Sequence, residues 1–260
     1  MRKSLVYYFY CTRETVFNEI NCLHFECLKR YNSIFNDIKF CISVNDINDK
    51  ELIKMVQEKV MDIFNNNFSK ISFYIYKNNI ELCECSFFYD EIISKLDEYD
   101  LIFFGHNKGF LTAKEEHKIS LYHWVIGMYY FSLGFIEELE HSLIEENEGL
   151  FYGSFLRKTD SMESPNNIHY VGTYFWMNAQ RIKKYIETNK QIFLKPFSRY
   201  YAENFPGYYL EQNLYSHNNV LLNNDDYDVY CNFIQIIQDL YPNEIDFYSF
   251  YNNIIDNVKL

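Results

Sequence analysis

The sequence predicts an α/β fold, a mostly parallel sheet flanked by helices with further helices at the carboxyl end. Three observations carry this. β-rich apolar runs alternate with helical segments through the first 105 residues, and that alternation implies βαβ units with right-handed crossovers. Apolar residues make up 48% of 260, enough to bury a substantial core. No internal repeat interrupts the pattern, so it reads as one layered domain over 1–222, with 223–260 a helical extension packed on the same domain.

Leu5 to Cys11 is the first strand. Thr12 then caps a helix, with Val16, Ile20, Leu23, Cys27 and Leu28 at helical spacing to about Tyr31. Ile38 to Val44 is a second strand and Asp46 to Asp49 a polar turn. Lys50 to Phe64 is a helix, with Leu52, Val56, Val60 and Ile63 on one stripe. Ile71 to Tyr76 is a third strand, and Cys83 and Cys85 alternate as on a strand face. Phe87 to Glu98 is helical and Tyr99 to Phe104 is a fourth strand. A long helical region from about Lys114 to Glu146 breaks near Gly134, and its acidic stretch Glu137 to Glu148 is a solvated face. Leu150 to Leu156 and His169 to Phe175 are strands around a polar loop, and Asn178 to Glu187 is a helix. Pro196 to Gly207 is irregular. Asn223-Asn224-Asp225-Asp226 is a turn and cap before two closing helices, which either cap the core or offer a homodimer surface.

The formal charge is −12, with 36 acidic against 24 basic side chains. Such a field repels phosphate backbones, so no nucleic-acid partner is expected. A nucleotide ligand needs only a local basic spot. Seven cysteines without a CxxC pair, mostly inside apolar runs, read as buried reduced thiols. No zinc site is expected. The amino-terminal apolar stretch is too short and too aromatic for a signal sequence. No run approaches the ~18 apolar residues of a transmembrane segment. A cytoplasmic location is the expectation. Walker, GxGxxG, HExxH and GxSxG motifs do not occur.

Four clusters are candidates for chemistry. In the first, the fourth strand delivers Gly105-His106-Asn107-Lys108-Gly109, where ligands bind parallel sheets. Lys108 suits a phosphate, and His106 suits a phosphate or a metal. The second is His123-Trp124, with Trp124 read as core. The third is His169 to Trp176. There Gly172 would let backbone approach a ligand, and Tyr174 and Trp176 would stack on a sugar face, unless the run is simply a buried strand. The fourth is Arg199 to Gly207, with Arg199 and Glu203 one helical turn apart. They form a surface ion pair, or Glu203 is a sugar-hydroxyl acceptor or base.

Taken in order, these clusters resemble a family of bacterial and viral glycosyltransferase-like proteins, related to rhamnan-synthesis enzymes, with a GT-A-type, Rossmann-type nucleotide-diphospho-sugar transferase fold. The matching positions are Asp100, His106, Lys108 and Gly109, then Trp124, then Gly172, Phe175 and Trp176, then Arg199 and Glu203. The likeness spans roughly residues 5 to 210. It implies a hexosyltransferase-like enzyme of surface-polysaccharide or glycan synthesis, with a nucleotide sugar and a glycan acceptor as partners. Asp100, His106, Asn107, Lys108 and Gly109 would bind the donor. Gly172, Thr173, Tyr174, Trp176 and Arg199 would bind the acceptor, and Glu203 and His106 would be catalytic. The chain departs from the pattern twice. Val125 follows Trp124 where the family often has Arg, and no apolar strand ends in Asp-x-Asp. A need for divalent Mn or Mg is therefore open, with Lys108 placed to replace the metal's charge on the leaving diphosphate. The alternative is a non-catalytic carbohydrate- or nucleotide-binding module that kept the fold.

Overall fold

The computed structural model describes residues 1–65, 70–78, 83–107, 118–145, 149–158, 168–189, 202, 205–209, 213–216, 221–222, 235, 237–238 and 245–258. Its centre is a sheet built from β1 (Lys3–Tyr10), β2 (Asp37–Val44), β3 (Ile71–Lys77), β4 (Leu101–His106), β5 (Phe151–Gly153), β8 (Phe175–Asn178) and β9 (Leu214–Ser216). A smaller sheet holds β6 (Leu156–Lys158), β7 (Ile168–Tyr170) and β10 (Leu221–Leu222). The large sheet runs β3-β2-β1-β4-β8-β5-β9. β1 to β4 are parallel to one another, and β5 pairs in parallel with β9. Only β8 runs against its neighbours β4 and β5. This is the mostly parallel, Rossmann-like α/β architecture that the alternation predicts.

Side-chain alternation splits each central strand between two cores. Leu5, Tyr7 and Phe9 of β1, Leu101 and Phe103 of β4, and Trp176 of β8 face one layer. That layer holds α1 (Glu19–Arg30), α2 (Lys50–Ile63), α4 (Lys118–Leu133) and α7 (Ile245–Val258). Val6 and Tyr8, Ile102 and Phe104, and Phe175 and Met177 face the other layer, with α3 (Cys83–Glu91) and α6 (Ala179–Asn189). With both faces covered, the parallel strands read as near-continuous apolar runs. α4 is buried along nearly its whole length, so its sequence carries no amphipathic stripe. After Gly134 and Phe135 the chain bends by 56° into α5 (Ile136–Glu140) and a π turn. No single described helix is long and apolar enough to cross a membrane.

Four local expectations are corrected. The first helix begins at Glu19 behind the Asn18 cap, because Thr12 and Thr15 close a turn of their own: Thr12 N donates to Thr15 Oγ1 at 2.9 Å. Cys83 and Cys85 lie in the first turn of α3, not on a strand. The run Leu150 to Leu156 is two strands in different sheets. The run His169 to Phe175 splits into β7 and β8 about a tight turn at Val171–Thr173. There Gly172 has φ +81° and Thr173 φ +59°, left-handed backbone that ends a ladder. The six described cysteines are free thiols, five of them buried.

Candidate functional site

In chain order the strands move from β1 outward to β2 and β3, then return to β4 on the other side of β1. The order therefore reverses between β1 and β4. The crevice beyond the carboxyl ends of those strands is where such sheets bind ligands. Around that end of the sheet lie the segment leaving β1, residues 11–18, and Asn107, directly after β4.

Asn107 stands at this end of the sheet, directly after β4. Its Oδ1 accepts from Tyr10 N at 2.8 Å, and its Nδ2 donates to Tyr10 O at 2.6 Å and to Asn21 Oδ1 at 2.8 Å. Asn21 in turn donates to Thr15 O. The amide thus extends the β1–β4 ladder by one side-chain rung. Both its N–H groups are spent on protein, so Asn107 is a structural stitch and not the donor contact that the sequence suggests.

His106 ends β4, in register with Tyr8 of β1. Alternation turns it toward α3, where its Nδ1 lies 2.7 Å from Glu84 Oε1. Its Nε2 is buried and has no hydrogen-bond partner among the described residues. The backbone is pinned as well, since the Tyr174 hydroxyl donates to the His106 carbonyl. Beside this pair, the Tyr8 hydroxyl donates to Ser43 Oγ at 2.9 Å, and Ser43 Oγ lies 3.4 Å from Cys83 Sγ. Burial holds the Tyr8 hydroxyl well above its ordinary range, so it stays protonated. The first turn of α3 therefore covers a polar row along the strand ends.

On the rim, Arg13 forks onto Asp49 at 2.6 and 2.8 Å and reaches Glu51 at 2.9 Å, clipping the β1 segment to the start of α2. Hydrogen bonds from Arg13 and from the Leu52 N–H hold the Asp49 carboxyl below its usual range. Behind the crevice, the hydroxyls of Tyr7, Tyr129 and Tyr174 converge on Nδ1 of His24, at 3.1, 2.9 and 3.1 Å. All four side chains are buried.

Of the other residues singled out from sequence, several lie elsewhere or inside. Asp100 precedes β4 and accepts from the Arg2 backbone. Six residues of extended chain put it roughly 20 Å from His106, at the wrong edge for a donor contact. Trp176 is wholly buried against Phe35 and Phe103, and its indole donates to Ser132 O at 2.8 Å. Tyr174 is wholly buried too. Neither ring can form an acceptor wall without opening the core. Gly172 is needed for its left-handed backbone and for packing: a Cβ there would meet Trp124 at 2.9 Å, so it is Trp124 that the backbone approaches. Thr173 is buried, next to Tyr174 at the start of β8 and at the His106 end of β4. Lys108, Gly109, Arg199 and Glu203 lie outside the described residues.

Glu84, Arg13 and His24 escaped the sequence reading. Only Arg13 left a signal, as a cation just beyond the first strand. Among the described residues no three His, Cys, Asp or Glu side chains gather as a metal site.

No protein-family model matches the chain, and no curated protein does. Among solved structures it is similar to a 4-diphosphocytidyl-2C-methyl-D-erythritol synthase from Anaerococcus prevotii. The two are 10% identical with a TM-score of 0.39, over 90% of this chain and 96% of that one. At that level the likeness carries neither fold nor activity, and the architecture rests on the strand order itself.

Proposed function

We propose that this chain is a nucleotide-binding transferase whose ligand occupies the crevice between the carboxyl ends of β1 and β4. The finer reading is transfer of a sugar from a nucleotide-diphospho-sugar donor to a saccharide or other hydroxyl acceptor. One observation carries it: at the strand-order reversal stands an imidazole that is held by a carboxylate and has a buried nitrogen with no partner among the described residues. Buried polar atoms are nearly always satisfied, and an exception at a ligand crevice points to a ligand.

In this scheme Lys108 neutralises the diphosphate as a point charge, with Gly109 allowing close backbone approach. Arg199 contacts the acceptor, and His106 and Glu203 are the candidates for taking the acceptor's proton. The second reading, a binding module without turnover, draws on the missing Asp-x-Asp. Donor hydrolysis or transfer by the purified protein decides against it.

The test is calorimetry over a panel of nucleotide sugars, with and without manganese. The wild type binds one class. Lys108→Ala loses about tenfold or more in affinity, equivalent to about 1.4 kcal/mol. Equal affinity in the two proteins contradicts the scheme.

A further inference from the structure

Resting on that reading, we infer that Glu84 and His106 act as a carboxylate–imidazole pair, with Nε2 of His106 the atom that takes the proton of the acceptor hydroxyl. Glu84 is then a positioning residue and His106 the catalytic one.

The protonation pattern follows from the surroundings of the ring. Nδ1 faces a carboxylate, which only accepts, so Nδ1 carries a hydrogen and donates. Nε2 lies in the interior with no partner among the described residues. In the tautomer with its hydrogen on Nδ1, the ring keeps a lone pair on Nε2 that can only accept. A phosphate oxygen offers it nothing, whereas a hydroxyl does. His106 is 9% exposed, so the lone pair is kept from bulk water until a ligand opens the strand end.

The placement is rigid. The His106 carbonyl is held by Tyr174, whose hydroxyl also lies 3.1 Å from His24. The ring sits over the end of β4 beside Tyr8, at the edge where order reverses. A ring fixed at both backbone and Nδ1 keeps one orientation through the reaction.

The acceptor O–H bond breaks and its proton goes to Nε2. The oxygen's electron pair forms a bond to the anomeric carbon of the donor sugar. The bond from that carbon to the diphosphate breaks, and its pair leaves with the nucleoside diphosphate. The imidazolium so formed is balanced by the Glu84 carboxylate 2.7 Å away.

Two measurements test this. Nitrogen-15 NMR of the ligand-free wild type should show His106 protonated at Nδ1 and bare at Nε2, and the reverse tautomer overturns the pair. In steady-state assays His106→Ala should lower kcat about 10²- to 10⁴-fold, the usual range for a general base. Glu84→Gln keeps an acceptor for Nδ1 but not the charge. It should lower kcat with little change in acceptor KM or in calorimetric donor affinity, and Glu84→Asp should recover part of the loss. Wild-type kcat in both Glu84→Gln and His106→Ala overturns this assignment and leaves the transferase reading standing. No transfer by the wild type from any donor overturns both.

Discussion

Gly172 shows at the residue scale how a correct choice of position can carry a wrong reason. The turn needs φ +81° there, and a Cβ would strike Trp124 at 2.9 Å. Gly172→Ala therefore costs on two counts, backbone and overpacking, each of about 1–3 kcal/mol. Urea denaturation should show a lowered midpoint without a change in slope, and a midpoint equal to wild type would contradict this account of the turn. The same logic separates Trp176 and Asn107 from the roles that sequence suggests. An aromatic in an apolar strand and an amide after a strand are both common in ligand sites and in cores. Only the completed hydrogen bonds, Trp176 to Ser132 and Asn107 to Tyr10 and Asn21, show which is the case. His106 draws attention in the sequence because it closes an apolar strand. Glu84 does not, because the neighbouring cysteines alternate as they would on a strand and nothing local announces its distant partner.

Elements were legible where periodicity was strong. The second helix starts at Lys50 behind an Asp49 cap, and β1 to β4 fall within two residues of expectation. The failures were short strands, of which β5, β7 and β8 are buried along their whole length. Runs such as Leu150 to Leu156 look continuous because the turn between the two strands, Ser154-Phe155, is only two residues long and buried. Of the closing helices, the described one, α7, lies against α1 and α4. Tyr31 packs on Phe250, Tyr130 on Phe247, and His123 stacks on Tyr251 at 3.9 Å. Burial lowers the affinity of His123 for a proton, and its bond to the Ile119 carbonyl offsets this only in part. The sign follows. Below about pH 6.5 an unfolded histidine takes up a proton that the folded one resists, so folding loses stability as pH falls through that range. His123→Phe keeps a ring for the stack and removes the titration. Thermal melts from pH 7.5 down to 5 should therefore fall more steeply for wild type than for His123→Phe. Parallel curves would mean that the α4–α7 contact is indifferent to this proton.

For the whole molecule, the sheet order does what no single motif could. Alternating strands and helices predict a parallel core, but the place of β8, antiparallel between β4 and β5, depends on pairing between segments distant in the chain, as in Phe104 with Phe175, 71 residues apart. Short-range pattern does not encode such partners. That insertion brings the β7–β8 turn to the same end of the sheet as His106, while Trp176 and Asp100 are carried into the core and to the far edge. The reversal in strand order is thus a product of topology, and residues from β1, β4, α3 and the start of β8 meet at that end of the sheet. Hydrogen-exchange mass spectrometry, with the nucleotide sugar that binds in calorimetry, tests this most directly. The crevice assignment predicts slowed exchange in residues 11–18, in Cys83–Glu91 and at the carboxyl end of β4. Protection confined to the small β6–β7–β10 sheet or to α7, with those three segments unchanged, would contradict it.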